Sequence, residues 1–359
     1  MSAIEQIIAG NSEEIQRTLS PAAAAEILQS LEKSYYPSHR DPLADPALQG
    51  DIMANLCRRQ AAFERHLVPW VNNKKQLSNS VIVDIGCGTG SSTAAFARGG
   101  AKWVSGYEIS QGSASVGKKR LEALRLDNAN VSIVDPNHTL RQLKQDHPNG
   151  IDIIALIAVL EHMTEAERNV FLPGIWDMMR PGDVLVVAEL PNRLTYNDSH
   201  TTRLPFFHLL TTEQKIRHVG RSDRKAFAKT VENLAAKREQ LETALCRWGI
   251  GLSFHDFESG FGVDNLETII LADGYEPNPT AWWPPSLEER ILMDYFINKP
   301  INKPIGFCRS VLNFIFVKPH PGEKSPLIRH DRATIEKYLS RASFPQGAIE
   351  RFMSAGTLG

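Results

Sequence analysis

Residues 81–91, Val-Ile-Val-Asp-Ile-Gly-Cys-Gly-Thr-Gly-Ser, constrain the fold of this chain more than any other stretch. A β-branched apolar run carrying Asp84 passes straight into Gly86, Gly88 and Gly90, and a helix-compatible Ser-Ser-Thr-Ala-Ala-Phe-Ala follows. The pattern reads as strand, glycine loop and helix. Without a Cβ the loop can take positive φ, turn sharply and bring its backbone against a ligand, while unpaired amides at the helix start point into the same space.

The glycine spacing narrows the ligand. The dinucleotide fingerprint is G-x-G-x-x-G around a pyrophosphate, whereas here the glycines run G-x-G-x-G behind a carboxylate. Asp84 suits a ligand with a cationic head group better than a pyrophosphate. A second strand-like run, residues 102–107, ends in Glu108, about 20 residues beyond the loop, where an acid can accept hydrogen bonds from both ribose hydroxyls. A third run, 131–134, ends in Asp135. Taken singly, Glu108 also fits a solvated strand-end acid, and Asp135 the start of an Asp-Pro-Asn turn.

Together these residues resemble the core motifs of the class I S-adenosylmethionine-dependent methyltransferases. Asp84-Ile-Gly-Cys-Gly-Thr-Gly90 is similar to the first motif, Glu108 to the ribose acid and Asp135 to the residue near the adenine amino group. Residues 151–160 running into Glu161-His162 resemble the Leu-Glu-His segment after the fourth strand, and Met179-Arg-Pro-Gly-Asp183 resembles the turn into the fifth. The resemblance covers residues 78–192. It implies an α/β fold: a doubly wound, seven-stranded, Rossmann-like sheet with an N-terminal helical addition and a largely helical insertion before the last strand. It implies S-adenosyl-L-methionine as cofactor, on Asp84, Gly86, Cys87, Gly88, Gly90, Glu108, Ile109, Asp135 and Glu161. A nicotinamide-dependent oxidoreductase would share the strand, loop and acid, but its third glycine falls elsewhere. A non-catalytic relative is expected to have an eroded cofactor motif, and this one is intact.

With Lys plus Arg at 40 and Asp plus Glu at 41, no global field draws the chain to nucleic acid. Cys57, Cys87, Cys246 and Cys308 are scattered without C-x-x-C spacing, so neither a zinc site nor a disulfide framework is expected. No apolar run approaches the roughly 20 residues needed to span a bilayer, and the first residues lack a basic, then apolar, leader pattern. A cytoplasmic protein acting on a small-molecule acceptor is the resulting expectation.

Five segments are expected: a helical cap (1–75), the cofactor core (76–192), an acceptor-binding insertion or lid (193–304), the last core strand (305–320) and a tail (321–359) with a helix over 331–341. In the cap, Ser20-Pro21 reads as N-cap and first-turn proline, and a second helix spans 51–71. The cap can cover the cofactor or act as a homodimer arm; Tyr35, Tyr36 and His39 stand in the loop between its helices. Residues 189–208 are dense in proline, aromatic and polar side chains, and they follow the fifth strand at the carboxyl edge where such sheets bind ligands. Residues 211–247 read as one long helix or two. There Lys215, Arg217, Arg221, Arg224, Lys225 and Lys229 meet one acid, Asp223, which fits a solvated face or an anion-binding patch.

Methyl transfer from a sulfonium is an in-line displacement, so positioning does most of the work. A neutral amine attacks with its own lone pair, whereas a hydroxyl must lose a proton, which favours histidine held by an acid. Asp198 with His200, His208, and His255 with Asp256 supply such groupings and tilt the reading from N- to O-methylation. The candidate catalytic residues are His200, His255 and His162, the last also fitting a cap or packing role. The same groupings have donors that suit several divalent ions, but no metal site is assigned.

Overall fold

The computed structural model describes residues 3–36, 46–198, 200–298 and 303–322; the expected C-terminal helix over 331–341, residue 39 and part of the loop around it lie outside these. Seven strands form one sheet: β1 Val81–Ile85, β2 Trp103–Glu108, β3 Ala129–Ile133, β4 Ile153–Ile157, β5 Val184–Pro191, β6 Ile270–Asp273 and β7 Val311–Val317. Their order is β3-β2-β1-β4-β5-β7-β6. The first five run parallel, and β7 is antiparallel to both neighbours. The chain reverses its direction of travel across the sheet between β1 and β4, which opens a crevice at their carboxyl ends.

Both faces of the sheet are covered, which is why the central strand β4 and most of β5 are apolar throughout instead of alternating. On one face Val83, Ile154, Leu185 and Phe316 pack with Phe171 and Trp176 of the helix Glu165–Met178 and Phe257 of the helix Phe254–Phe261. On the other, Ile82, Ile153, Val184 and Ile315 pack with Phe96 of the helix Ser91–Arg98 and with Phe63, Leu67 and Val71.

Those last three residues belong to the N-terminal segment, so it is more than a cap. Residues 46–72 form one continuous helical run containing two π-helical turns, Ala54–Arg58 and Phe63–Leu67. Its second half builds the sheet's flanking layer. Its first half joins the helix Pro21–Ser34, whose N-cap Ser20 accepts from the Ala23 amide as the Ser-Pro pair predicts, in a small core with Val116 of the helix Gln111–Ala123.

The expected 193–304 insertion also divides. Residues 212–247 fold as three short helices, Thr212–His218, Lys225–Leu234 and Arg238–Arg247, around Phe227, Val231 and Leu241. Beyond them Phe257, Phe261, Leu266 and Ile270 enter the main core, and β6 is an edge strand of the sheet itself. Phe254 and Phe257 lie on a helix. At four residues, β6 is too short to announce itself by periodicity.

Candidate active site

Gly86, Gly88 and Gly90 take φ of 69°, 54° and 78°. A Cβ on Gly90 would meet the Gly117 Cα at 2.8 Å, so this glycine lets the loop pack on the following helix. A Cβ on Gly88 would meet nothing within 4 Å. Bare backbone therefore faces open space at the carboxyl edge. The Gly88 amide donates to Glu108 Oε2 at 2.8 Å and the Ser110 amide to Oε1 at 2.7 Å, leaving each carboxylate oxygen a further acceptor position. Beside them Ile109 is 62% exposed, an apolar side chain left uncovered at the same edge.

Asp84 is fully buried; Oδ2 accepts from the Ser92 and Thr93 hydroxyls, both at 2.7 Å, while Oδ1 has no partner. Burial pushes its carboxyl up to about 6. Burial likewise raises the Cys87 thiol, and all four cysteines are free. Asp135 is half exposed, accepts from the Asn137 amide at 2.9 Å and pairs with His138, so its carboxylate closes the turn after β3.

The N-terminal segment is fastened to this loop by a residue the motifs did not flag. Arg120 is completely buried and donates to the carbonyls of Thr89, Leu56 and Asn55 and to Gln60 Oε1. Thr89 in turn donates to Asn55. Tyr35 caps the C-terminus of Pro21–Ser34 within electrostatic reach of Glu108, and the Tyr36 hydroxyl donates to Asp51 and accepts from Asn55.

A second cluster forms beyond β4. Glu161 is fully buried, yet neither carboxylate oxygen has a hydrogen-bond partner. Its Oε1 faces His162 Nε2 at 3.9 Å and His200 Nε2 at 4.0 Å. Burial pushes the Glu161 carboxyl up to about 8, and holds His162 low and His200 down to about 4. His162 Nδ1 lies 3.0 Å from the Arg247 carbonyl, which can only accept, so Nδ1 carries the proton and Nε2 a lone pair. His200 Nδ1 lies 3.3 Å from Thr201 Oγ1, which gives its own proton to the Gly249 carbonyl at 2.7 Å; the same tautomer follows.

The acid opposite His200 is thus Glu161. Asp198 is not its partner: its carboxylate accepts from Thr201 and Thr202 and closes a turn. The expected His255–Asp256 pair does not form either, because Asp256 is bound by Arg193 at 2.6 Å, while His255 is exposed against Ser253 and Phe254. Gly249, at φ 115°, holds the space that His200 occupies; a Cβ there would sit 2.5 Å from Nδ1. Glu189, at φ 57° in the irregular end of β5, is turned onto Arg59 of the N-terminal run at 2.5 Å.

Adjoining the cluster is a cavity of about 150 Å³, lined by Asn192, Arg193, His208 and Lys215 together with Phe227 and Leu245. Thr201, Gly249 and Ile250 stand in its wall, and the Ile250 amide donates to the Glu161 carbonyl at 2.8 Å. Of the basic run, Lys215 and Arg224 turn inward, and burial lowers both; Arg217, Arg221, Lys225 and Lys229 form a solvated face.

Bare loop amides, a two-oxygen acid at the end of β2 and an exposed apolar neighbour fit a nucleoside-bearing cofactor, and the seven-stranded mixed sheet around them has the Rossmann-like methyltransferase fold. Residues 82–182 match the family model for a methyltransferase domain. No curated protein matches it significantly in sequence. Magnesium protoporphyrin IX methyltransferase from Synechocystis PCC 6803 with bound SAM is 22% identical with a TM-score of 0.33, over 46% of this chain and 71% of that one. PKMT2 from Rickettsia typhi in complex with AdoHcy is 15% identical with a TM-score of 0.41, over 73% and 52%. A SAM-dependent methyltransferase from Methanosarcina mazei is 19% identical with a TM-score of 0.29, over 34% and 58%, so the chain spans little more than half of the last two proteins. No helix among the described residues is long and apolar enough to cross a membrane.

Proposed function

We propose that this enzyme methylates a hydroxyl group of a small-molecule acceptor seated between the sheet edge and residues 193–251. The observation that carries the reading is Glu161, buried without partners and faced by two imidazole lone pairs, just beyond β4 and hydrogen-bonded through its carbonyl to Ile250 of the cavity wall. Glu108 and the Gly88 backbone hold the cofactor's ribose side in this reading, with Ile109 against the base. Asp84, Gly86, Cys87 and Gly90 shape the loop, and Asp135 closes the cradle.

When bound, the cofactor supplies the methyl electrophile and its leaving group. The chain's task is to orient the acceptor and draw off its proton. Holding the two reactants in line can contribute up to ~7–11 kcal/mol. A hydroxyl also needs help losing its proton as it attacks, and the Glu161 cluster provides the groups for it, whereas an amine already in its neutral form attacks with its own lone pair. The polar lining of Asn192, Arg193, His208 and Lys215 gives the acceptor hydrogen-bond and anionic anchor points.

Incubation with S-adenosylmethionine and a panel of hydroxyl- and amine-bearing metabolites, read by mass spectrometry, tests the acceptor class. Methyl ethers and a His200→Ala loss of ~10²–10⁴ in turnover at normal cofactor affinity are expected. Products methylated only on nitrogen, or an unaffected variant, would remove the hydroxyl assignment.

A further inference from the structure

We infer that Glu161, His162 and His200 form a binding site for a divalent first-row transition-metal ion. Their three donor atoms all lie within 4.8 Å of one another. One carboxylate and two imidazoles suit Zn²⁺, Co²⁺, Mn²⁺ or Fe²⁺. Metal–ligand bonds of ~2.1 Å gather them around one ion with a small closing shift.

Three independent features point inward. A carboxylate with no hydrogen bond at either oxygen, in a residue with no exposed surface, needs a partner, and both facing atoms are imidazole nitrogens left without a proton. At 3.9 and 4.0 Å the separations are too long for hydrogen bonds and leave room for an ion between. Both rings are held from behind, His162 by the Arg247 carbonyl and His200 by Thr201 Oγ1. That arrangement fixes the ligating nitrogen, as the outer shell of metal-bound histidines does. Arg247 is itself anchored to the His162 carbonyl at 2.8 Å and to Glu167. The sites meet only because the 212–247 helices are seated on the β4 end.

The ion's role in catalysis rests on the reading above. Held by Glu161, His162 and His200, the ion would make an acceptor hydroxyl beside it more acidic, so that its proton would pass to solvent as the O–CH₃ bond forms and the sulfonium S–CH₃ bond breaks.

The full chain, stripped with a chelator and titrated with Co²⁺, should develop visible ligand-field absorption at one equivalent, displaced by Zn²⁺. Glu161→Gln, His162→Ala and His200→Ala should each weaken Co²⁺ binding by more than ~10-fold, and Thr201→Val, which keeps all three ligands, by about that factor. His255→Ala should leave it unchanged. Circular dichroism and S-adenosylhomocysteine calorimetry on the same samples report folding and the cofactor site. An unchanged Co²⁺ affinity in the three ligand variants, or no uptake by the parent chain, overturns the metal site. If the parent binds S-adenosylhomocysteine and still transfers methyl groups after chelation, the ion's catalytic role fails alone; loss of cofactor binding by the parent would instead sink the functional reading.

Discussion

The Gly88 amide donates to Glu108 Oε2 at 2.8 Å, tying the open apex of the glycine loop to the acid at the end of the neighbouring strand. The two halves of the proposed cofactor cradle, the bare backbone and the Glu108 carboxylate, are therefore one hydrogen-bonded unit.

Breaking either half should weaken cofactor binding. Glu108→Ala leaves ribose hydroxyls and the Gly88 amide unpaired, at a cost of roughly 1–3 kcal/mol in S-adenosylhomocysteine affinity. Gly88→Val adds a side chain to the open space at a φ of 54° that β-branched residues avoid, and should lower the affinity further. Calorimetry on both variants decides; unchanged affinity in both would contradict the cradle.

Gly249→Ala should impair transfer without impairing cofactor binding. Its methyl group would displace the His200 ring, 2.5 Å away, and the backbone sits at φ 115°. A fall in turnover of ~10-fold or more with a normal S-adenosylhomocysteine isotherm is expected, because small misplacements at a reacting centre are costly. Full activity would show that His200 need not hold this position.

Glu289→Ala should destabilise the fold by ~3–5 kcal/mol, since it strands the buried Arg309 guanidinium. Glu289 accepts from Arg309 at 2.8 Å and from the Ser310 amide and hydroxyl at 2.6 Å, joining the helix Leu287–Asn298 to the approach into β7. Urea denaturation monitors the change, and a shift under ~1 kcal/mol would mean the site takes up water.

Glu167 provides a pH test of the contact that seats the 212–247 helices. Its hydrogen bonds to Arg247 pull the carboxyl from 4.5 down to about 2. A depressed carboxyl stabilises the fold above its unfolded pKa and loses that contribution as pH falls toward the folded value. Glu167→Gln keeps the N3 side-chain oxygen of the capping box but not the charge, so its melting temperature should lie below the parent's at pH 7. The gap should narrow between pH 5 and pH 2. A gap independent of pH would assign the loss to packing.

Much of the strand, loop and helix around the glycines was legible because its signals are local. The strand, the three glycines and the helix behind them are contiguous, and each residue type answers a constraint within a few positions: positive φ, close approach, an N-terminal amide. Glu108 ends the next strand of the same unit. Ser20-Pro21 and the last core strand expected within 305–320 were legible for the same reason. Asp198 and His200 show where local reasoning stops. Spacing alone suggested a pair, but the Asp carboxylate satisfies nearby Thr201 and Thr202 donors, so the imidazole answers to a distant acid.

By itself the sequence determined the parallel α/β core and the backbone shape of its cofactor loop, since both follow from short-range sterics and hydrogen bonding. Only the tertiary structure decided which acid meets which histidine. Glu161 and His162 follow β4, whereas His200, Gly249 and the Arg247 carbonyl come from the region after β5. Packing of the 212–247 helices over the sheet edge brings them together, and no periodicity in the chain encodes that contact. The same holds for Arg120 and for Glu289 with Arg309, whose charges are tolerated inside because several distant groups satisfy them at once.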